Sequence, residues 1–188
     1  MNNLLSDQLK TRTSAAHQQL EKALVQRMRS LQTINDYLIL LQFFYSYFGA
    51  VEERINLYIG SVELPDYPQR RKTAALAGDI LCLGGTLPEK TPVNDLPEIK
   101  NHMQAFGALY VLEGSTLGGM IICQMIRKQL GLTETGLSFF YSYGENLATM
   151  WDTFKLTLNR QATKDADEEI VIAAADATFS KFSVLLAA

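Results

Sequence analysis

Hydrophobic residues recur with helical spacing along nearly the whole chain, and no segment carries a sustained period-two alternation bounded by turn chemistry. That pattern confines the chain to an all-α fold. With 188 residues, 47% of them hydrophobic, one domain spanning 1–188 buries an adequate core without disulfides or structural metals. A net charge of -3, with no basic run longer than Arg70-Arg71-Lys72, argues against nucleic acid as a partner. The first seven residues lack a basic stretch followed by an apolar one, so a cytoplasmic location is expected. Residues 106–126 are apolar enough to suggest a membrane span. They contain Glu113, Ser115, Thr116 and Gln124, however, and Arg127-Lys128 follows, which fits a buried core helix and no membrane. Cys82 and Cys123 show no metal-ligand spacing and read as buried, reduced thiols.

The expected elements follow from caps and breakers. Ser6 caps a first helix reaching about residue 29, and Thr33 or Asn35 starts a second that runs to about 58. A third spans 69–83, stopped by Gly84-Gly85, and a proline-bearing surface loop covers 84–97. A long helix over 97–130 follows, then a loop over 132–143 and two final helices at 145–162 and 165–186. The product is a single-domain helical bundle.

Within the long helix, glycine stands at 107, 114, 118 and 119. Each interior glycine costs roughly 0.5–1 kcal/mol relative to alanine, so the cluster needs a reason. A kink is expected, with bare backbone lying against something flat. Close packing of a neighbouring helix accounts for the same pattern, because Gly114 and Gly118 also form a small-xxx-small pair. A second constellation lies near the N-terminus, where Lys10, Thr13, His17, Leu20, Glu21 and Leu24 share one helical face. Glu21 lies one turn beyond His17, where a carboxylate can hold Nδ1 and leave Nε2 free as a metal ligand. The same spacing also describes an ordinary exposed pair. His102 has no comparable setting and reads as a surface residue.

Together, the segment Leu9-Lys-Thr-Arg-Thr-Ser-Ala-Ala-His17-Gln-Gln-Leu-Glu21 and the segment Gly107-Ala-Leu-Tyr-Val-Leu-Glu-Gly-Ser-Thr-Leu-Gly-Gly119 resemble the two haem-facing helices of heme oxygenases. The bacterial, biliverdin-producing branch is the nearest likeness. Further similarity lies in Phe139-Phe-Tyr-Ser-Tyr-Gly-Glu, in Met150-Trp-Asp-Thr-Phe154 and in the segment ending at Phe179. The resemblance implies an all-helical fold with haem, both cofactor and substrate, between a proximal N-terminal helix and a kinked, glycine-rich distal helix. It makes His17 the iron ligand, Glu21 its hydrogen-bonding partner, and Lys10 and Lys155 propionate contacts. Leu112 would line the haem, and Gly114, Gly118 and Gly119 would bring backbone to its distal face.

The implied reaction consumes dioxygen and external electrons and yields biliverdin, carbon monoxide and ferrous iron. The chain has no flavin, nicotinamide or iron-sulfur motif, so a ferredoxin or flavoprotein reductase is the implied partner. The bilin serves either a phytochrome or iron acquisition. Two departures matter. Ser115 and Thr116 stand where animal members carry a distal aspartate, and their hydroxyls are the expected proton donors. Met120 stands where bacterial relatives often have arginine. A non-catalytic haem carrier or sensor on the same fold is the alternative. A thiaminase-like enzyme lacks a polar setting for its cysteine, and a di-iron site lacks its Glu-x-x-His pairs.

Overall fold

The computed structural model describes residues 4–187, and these form an all-helical bundle. The expected N-terminal helix is two segments, α1 (Leu5–Arg12) and α2 (Ser14–Arg29). The interruption falls at Thr13, whose hydroxyl donates to the Leu9 carbonyl at 2.8 Å. Such back-bonding bends a helix without ending it. The amides of Thr13 and His17 still donate to Leu9 and Thr13, four residues back. Ser6 is not a cap: it is buried within α1, and its amide donates to Asn159 Oδ1.

Helix α3 (Ile34–Ile55) does start at Thr33, through a reciprocal capping box with Asp36. It stops short of residue 58 because the amides of Leu57 and Tyr58 bond only three residues back, tightening the last turn. The third helix is also shorter than expected. Tyr67–Gln69 is a 3-10 turn, Arg70 is extended, and α4 covers Ala74–Cys82. Cys82 is exposed at its end, correcting the expectation of burial, whereas Cys123 is buried.

Helix α5 (His102–Gly114) begins after Asn101, whose side chain accepts the Gln104 amide, so residues 97–101 lie outside it. The expected kink takes the form of a change of pitch: a 3-10 turn, Ser115–Gly118, joins α5 to α6 (Gly119–Leu130). Gly131, at φ 70°, closes α6 in the left-handed conformation. The expected loop over 132–143 contains a short helix, α7 (Ser138–Tyr141). Its first amides, those of Ser138 and Phe139, donate to the buried Asp79 carboxylate at 3.0 and 2.8 Å. Helices α8 (Leu147–Gln161) and α9 (Asp165–Ala187) complete the bundle.

Helix α9 is the common support, packing against both α2 and α5. Gly107 permits the close approach of α5, since a Cβ there would collide with the Val171 carbonyl oxygen and with Ala174. Phe44, Tyr47, Phe48 and Phe182 form the aromatic centre of the core. The continuous helical stretch His102–Leu130 and α9 are each long and apolar enough to cross a membrane, yet they are the helices around which the core is assembled.

Candidate haem site

His17 lies on the margin of α2, between the buried Leu20 side and the exposed Lys10 and Glu21 side. Its ring packs edge-on against Phe179 of α9 at 5.5 Å, and 57% of the side chain is exposed. Nδ1 is 3.9 Å from Glu21 Oε2, longer than a hydrogen bond. The imidazole is therefore braced on one side by Phe179 and open to an incoming ligand on the other. Lys10 is exposed on α1, across the bend at Thr13.

The four glycines separate into two kinds. Gly107 and Gly119 have internal reasons: the first admits α9, and a Cβ on the second would collide with the Phe140 carbonyl oxygen of α7. Gly119 therefore serves packing. Gly114 and Gly118 have no such reason. Both adopt right-handed helical dihedrals that any residue accepts. Among the described residues, a Cβ on Gly118 would meet nothing within 4 Å, and one on Gly114 would meet Trp151 alone, at 3.7 Å. Gly78 in α4 is equally open but stands alone, whereas these two bracket the 3-10 turn that joins α5 to α6.

Beside that turn runs a buried polar cluster. Arg70, with its side chain fully enclosed, donates to Glu113 Oε2 at 2.7 Å and pairs with Asp66 at 2.7 Å. Tyr143 donates to both oxygens of Glu113 at 3.0 Å. It also accepts the Arg71 amide at 2.8 Å. Arg71 Nη2 donates to the Leu112 carbonyl at 2.6 Å and to Ser115 Oγ at 2.7 Å. Its Nη1 is enclosed without a protein partner, and a cavity of ≈ 10 Å³ adjoins Arg71, Glu52 and Thr73, room for about one water. Burial opposes the charge on Arg70, but Glu113 and Asp66 outweigh it and raise its affinity for the proton. For Arg71 burial wins, and its pKa is drawn down to about 10. Burial, reinforced by Glu113, pushes Tyr143 up, so its hydroxyl remains a donor.

Ser115 and Thr116 are placed differently from the expectation. Ser115 Oγ donates to the Leu112 carbonyl at 2.7 Å, and Thr116 Oγ1 donates to the Glu113 carbonyl at 2.6 Å. Thr116 is buried, and both hydroxyl protons are committed to their own helix. Leu112 is itself buried, and its carbonyl is the acceptor that gathers Arg71 and Ser115. Lys155 on α8 pairs with Asp152 at 2.9 Å and lies 5.9 Å from the ring of Trp151, the residue that borders Gly114. Met120 is half-buried in the first turn of α6. Sequence reasoning missed Arg70, Arg71 and Tyr143 altogether. The available signal was Glu113, a carboxylate in an apolar helix that had to find a cation.

An accessible imidazole on one helix, bare backbone on another and a shared support behind both suit a planar group with a metal centre. Residues 3–188 match the family model for heme oxygenase. The chain is 30% identical over 140 residues to a heme oxygenase of Xanthomonas campestris, covering 74% of this chain and 82% of that protein. The structure of heme oxygenase from Leptospira interrogans superposes with a TM-score of 0.76 at 18% identity, covering 98% of both chains. That of the NO- and CO-bound heme oxygenase from Neisseria meningitidis gives 0.76 at 21% identity, covering 98% of this chain and 91% of that one. The chain belongs to the heme oxygenase family, and it is an enzyme of haem degradation.

Proposed function

We propose that this protein binds haem between His17 and the face carrying Gly114 and Gly118, and opens it at a meso carbon. The products are biliverdin, carbon monoxide and ferrous iron, and dioxygen and electrons from a ferredoxin or flavoprotein reductase are consumed. The observation that carries this reading is the pair of glycines, for which neither backbone dihedral nor internal neighbour gives a reason. Haem, when bound, supplies the iron at which dioxygen is reduced and the ring that is attacked.

The protein's residues supply position. His17 offers Nε2 to the iron while Glu21, after a small side-chain rotation, holds Nδ1. Lys10 and Lys155 neutralise the propionates. Gly114 and Gly118 leave the distal face without side chains, so backbone alone confines oxygen toward one edge of the ring. Ser115 and Thr116, bonded back into the helix, brace the turn, and the proton comes from water held against it.

His17→Ala tests the assignment. The variant should lose the histidine-ligated haem spectrum and its turnover, and imidazole should restore part of both. An unchanged spectrum would refute ligation by His17. Incubating the haem complex with ascorbate in air separates enzyme from carrier: the haem band should fall as a bilin band grows, and a persistent haem band would mean a carrier.

A further inference from the structure

Arg71 is not among the haem-contacting residues expected from sequence, yet its guanidinium reaches the point where the distal helix changes pitch. Carbonyls at such a change lose their regular partners. Here the Leu112 carbonyl receives Arg71 Nη2 at 2.6 Å and Ser115 Oγ at 2.7 Å, and Nη2 also donates to Ser115 Oγ at 2.7 Å. We propose that Arg71 is the positioning residue that fixes the Ser115–Gly118 turn, and with it the height of the Gly114 and Gly118 backbone over the haem. The inference rests on the haem-facing reading of that backbone.

Two contacts and its chain neighbour make Arg71 a rigid anchor. Its guanidinium carbon lies 4.0 Å from the centroid of the Phe139 ring, which holds the plane of the fork. Its amide donates to the Tyr143 hydroxyl, and Tyr143 is tied in turn to Glu113, a residue of α5 itself. Arg70, adjacent in sequence, is locked by Asp66 and Glu113. The other end of the turn is held by α7, because Gly119 abuts the Phe140 carbonyl and α7 is capped by Asp79. Between these anchors Leu117 is 46% exposed and Gly118 has no neighbour at its Cβ position. The turn is therefore held at its ends and through the buried Thr116, and is open on the side of Leu117 and Gly118.

The test uses Arg71→Met, which keeps the stem against Phe139 and removes every donor, and Arg71→Lys, which restores charge without the fork. Asn159→Ala, which removes the α1 to α8 hydrogen bonds, serves as a control for general destabilisation. In haem-free protein, amide exchange across 116–119 should accelerate about tenfold or more in Arg71→Met, the loss expected when hydrogen bonds from a charged donor go. The lysine variant should recover part of that protection, and the control should show none of this local acceleration. In the haem complex, the infrared band of bound carbon monoxide should split or broaden and the biliverdin isomer ratio should change in Arg71→Met alone. Unchanged exchange at the turn would overturn the proposal. So would faster exchange with an unaltered carbon monoxide band and isomer ratio, which would leave Arg71 a purely structural residue. Failure of the underlying site reading looks different: wild-type protein would take up no haem.

Discussion

Gly118 and Gly119 are chain neighbours with opposite reasons for being glycine, and alanine at each separates them. At Gly118 the backbone is right-handed and the space beside it open, so Gly118→Ala should stabilise the haem-free protein by about 0.5–1 kcal/mol. The same methyl would face the haem, so haem affinity or turnover should fall. At Gly119 a Cβ collides with the Phe140 carbonyl, backbone that cannot step aside, so Gly119→Ala should destabilise the protein with or without haem. Urea unfolding of both variants, with and without haem, checks the pair; loss of stability in both haem-free variants would remove the distinction. Glu113 gives a further residue-level test. Glu113→Ala leaves Arg70 enclosed with Asp66 as its one remaining carboxylate and frees the Tyr143 hydroxyl, so it should cost about 3 kcal/mol in unfolding free energy.

Among the elements, the start of α3 depends on an ionised side chain. Asp36 accepts from the amides of Gln32 and Thr33, and these bonds hold its carboxyl below the ordinary aspartate range. A depressed carboxyl contributes stability above its unfolded pKa and loses it as pH falls through the folded one. Asp36→Asn should therefore melt below wild type at neutral pH, and the gap should close as acid titrates the lowered Asp36 carboxyl. A gap that persists in acid would mean that the cap does not depend on charge. The sequence narrowed this start to Thr33 or Asn35, and the structure uses Thr33, where Asp36 completes the box. The late start of α4 was not legible in sequence, because it depends on Arg70 being drawn inward to Glu113, 43 positions away. The bend at Thr13 was likewise hidden, since a threonine hydroxyl finds the Leu9 carbonyl only once the helix exists. At the site, His17 and the glycine cluster were readable as patterns. That Gly119 serves packing depended on α7, which no local spacing announces, whereas the Ser115 and Thr116 hydroxyls turn back three residues into their own helix, a local bond that competes with the proton-donor reading.

In the molecule as a whole, the two halves of the proposed site meet through α9. Helix α5 contacts it where Gly107 meets Val171 and Ala174, and α2 contacts it where His17 meets Phe179. Haem bound between His17 and the Ser115–Gly118 turn adds a direct link between elements that otherwise share a support, and a ligand that binds only the folded form raises stability by mass action. At a free haem concentration 100 times the dissociation constant the gain is about 2.7 kcal/mol. The melting temperature should rise accordingly, and amide protection should increase on α2 near His17 and across 115–119 together. His17→Ala should keep the fold and lose most of that rise. Protection confined to one of the two elements would mean that haem sits on a single helix, and the arrangement of an imidazole facing bare backbone across the porphyrin would have to be abandoned.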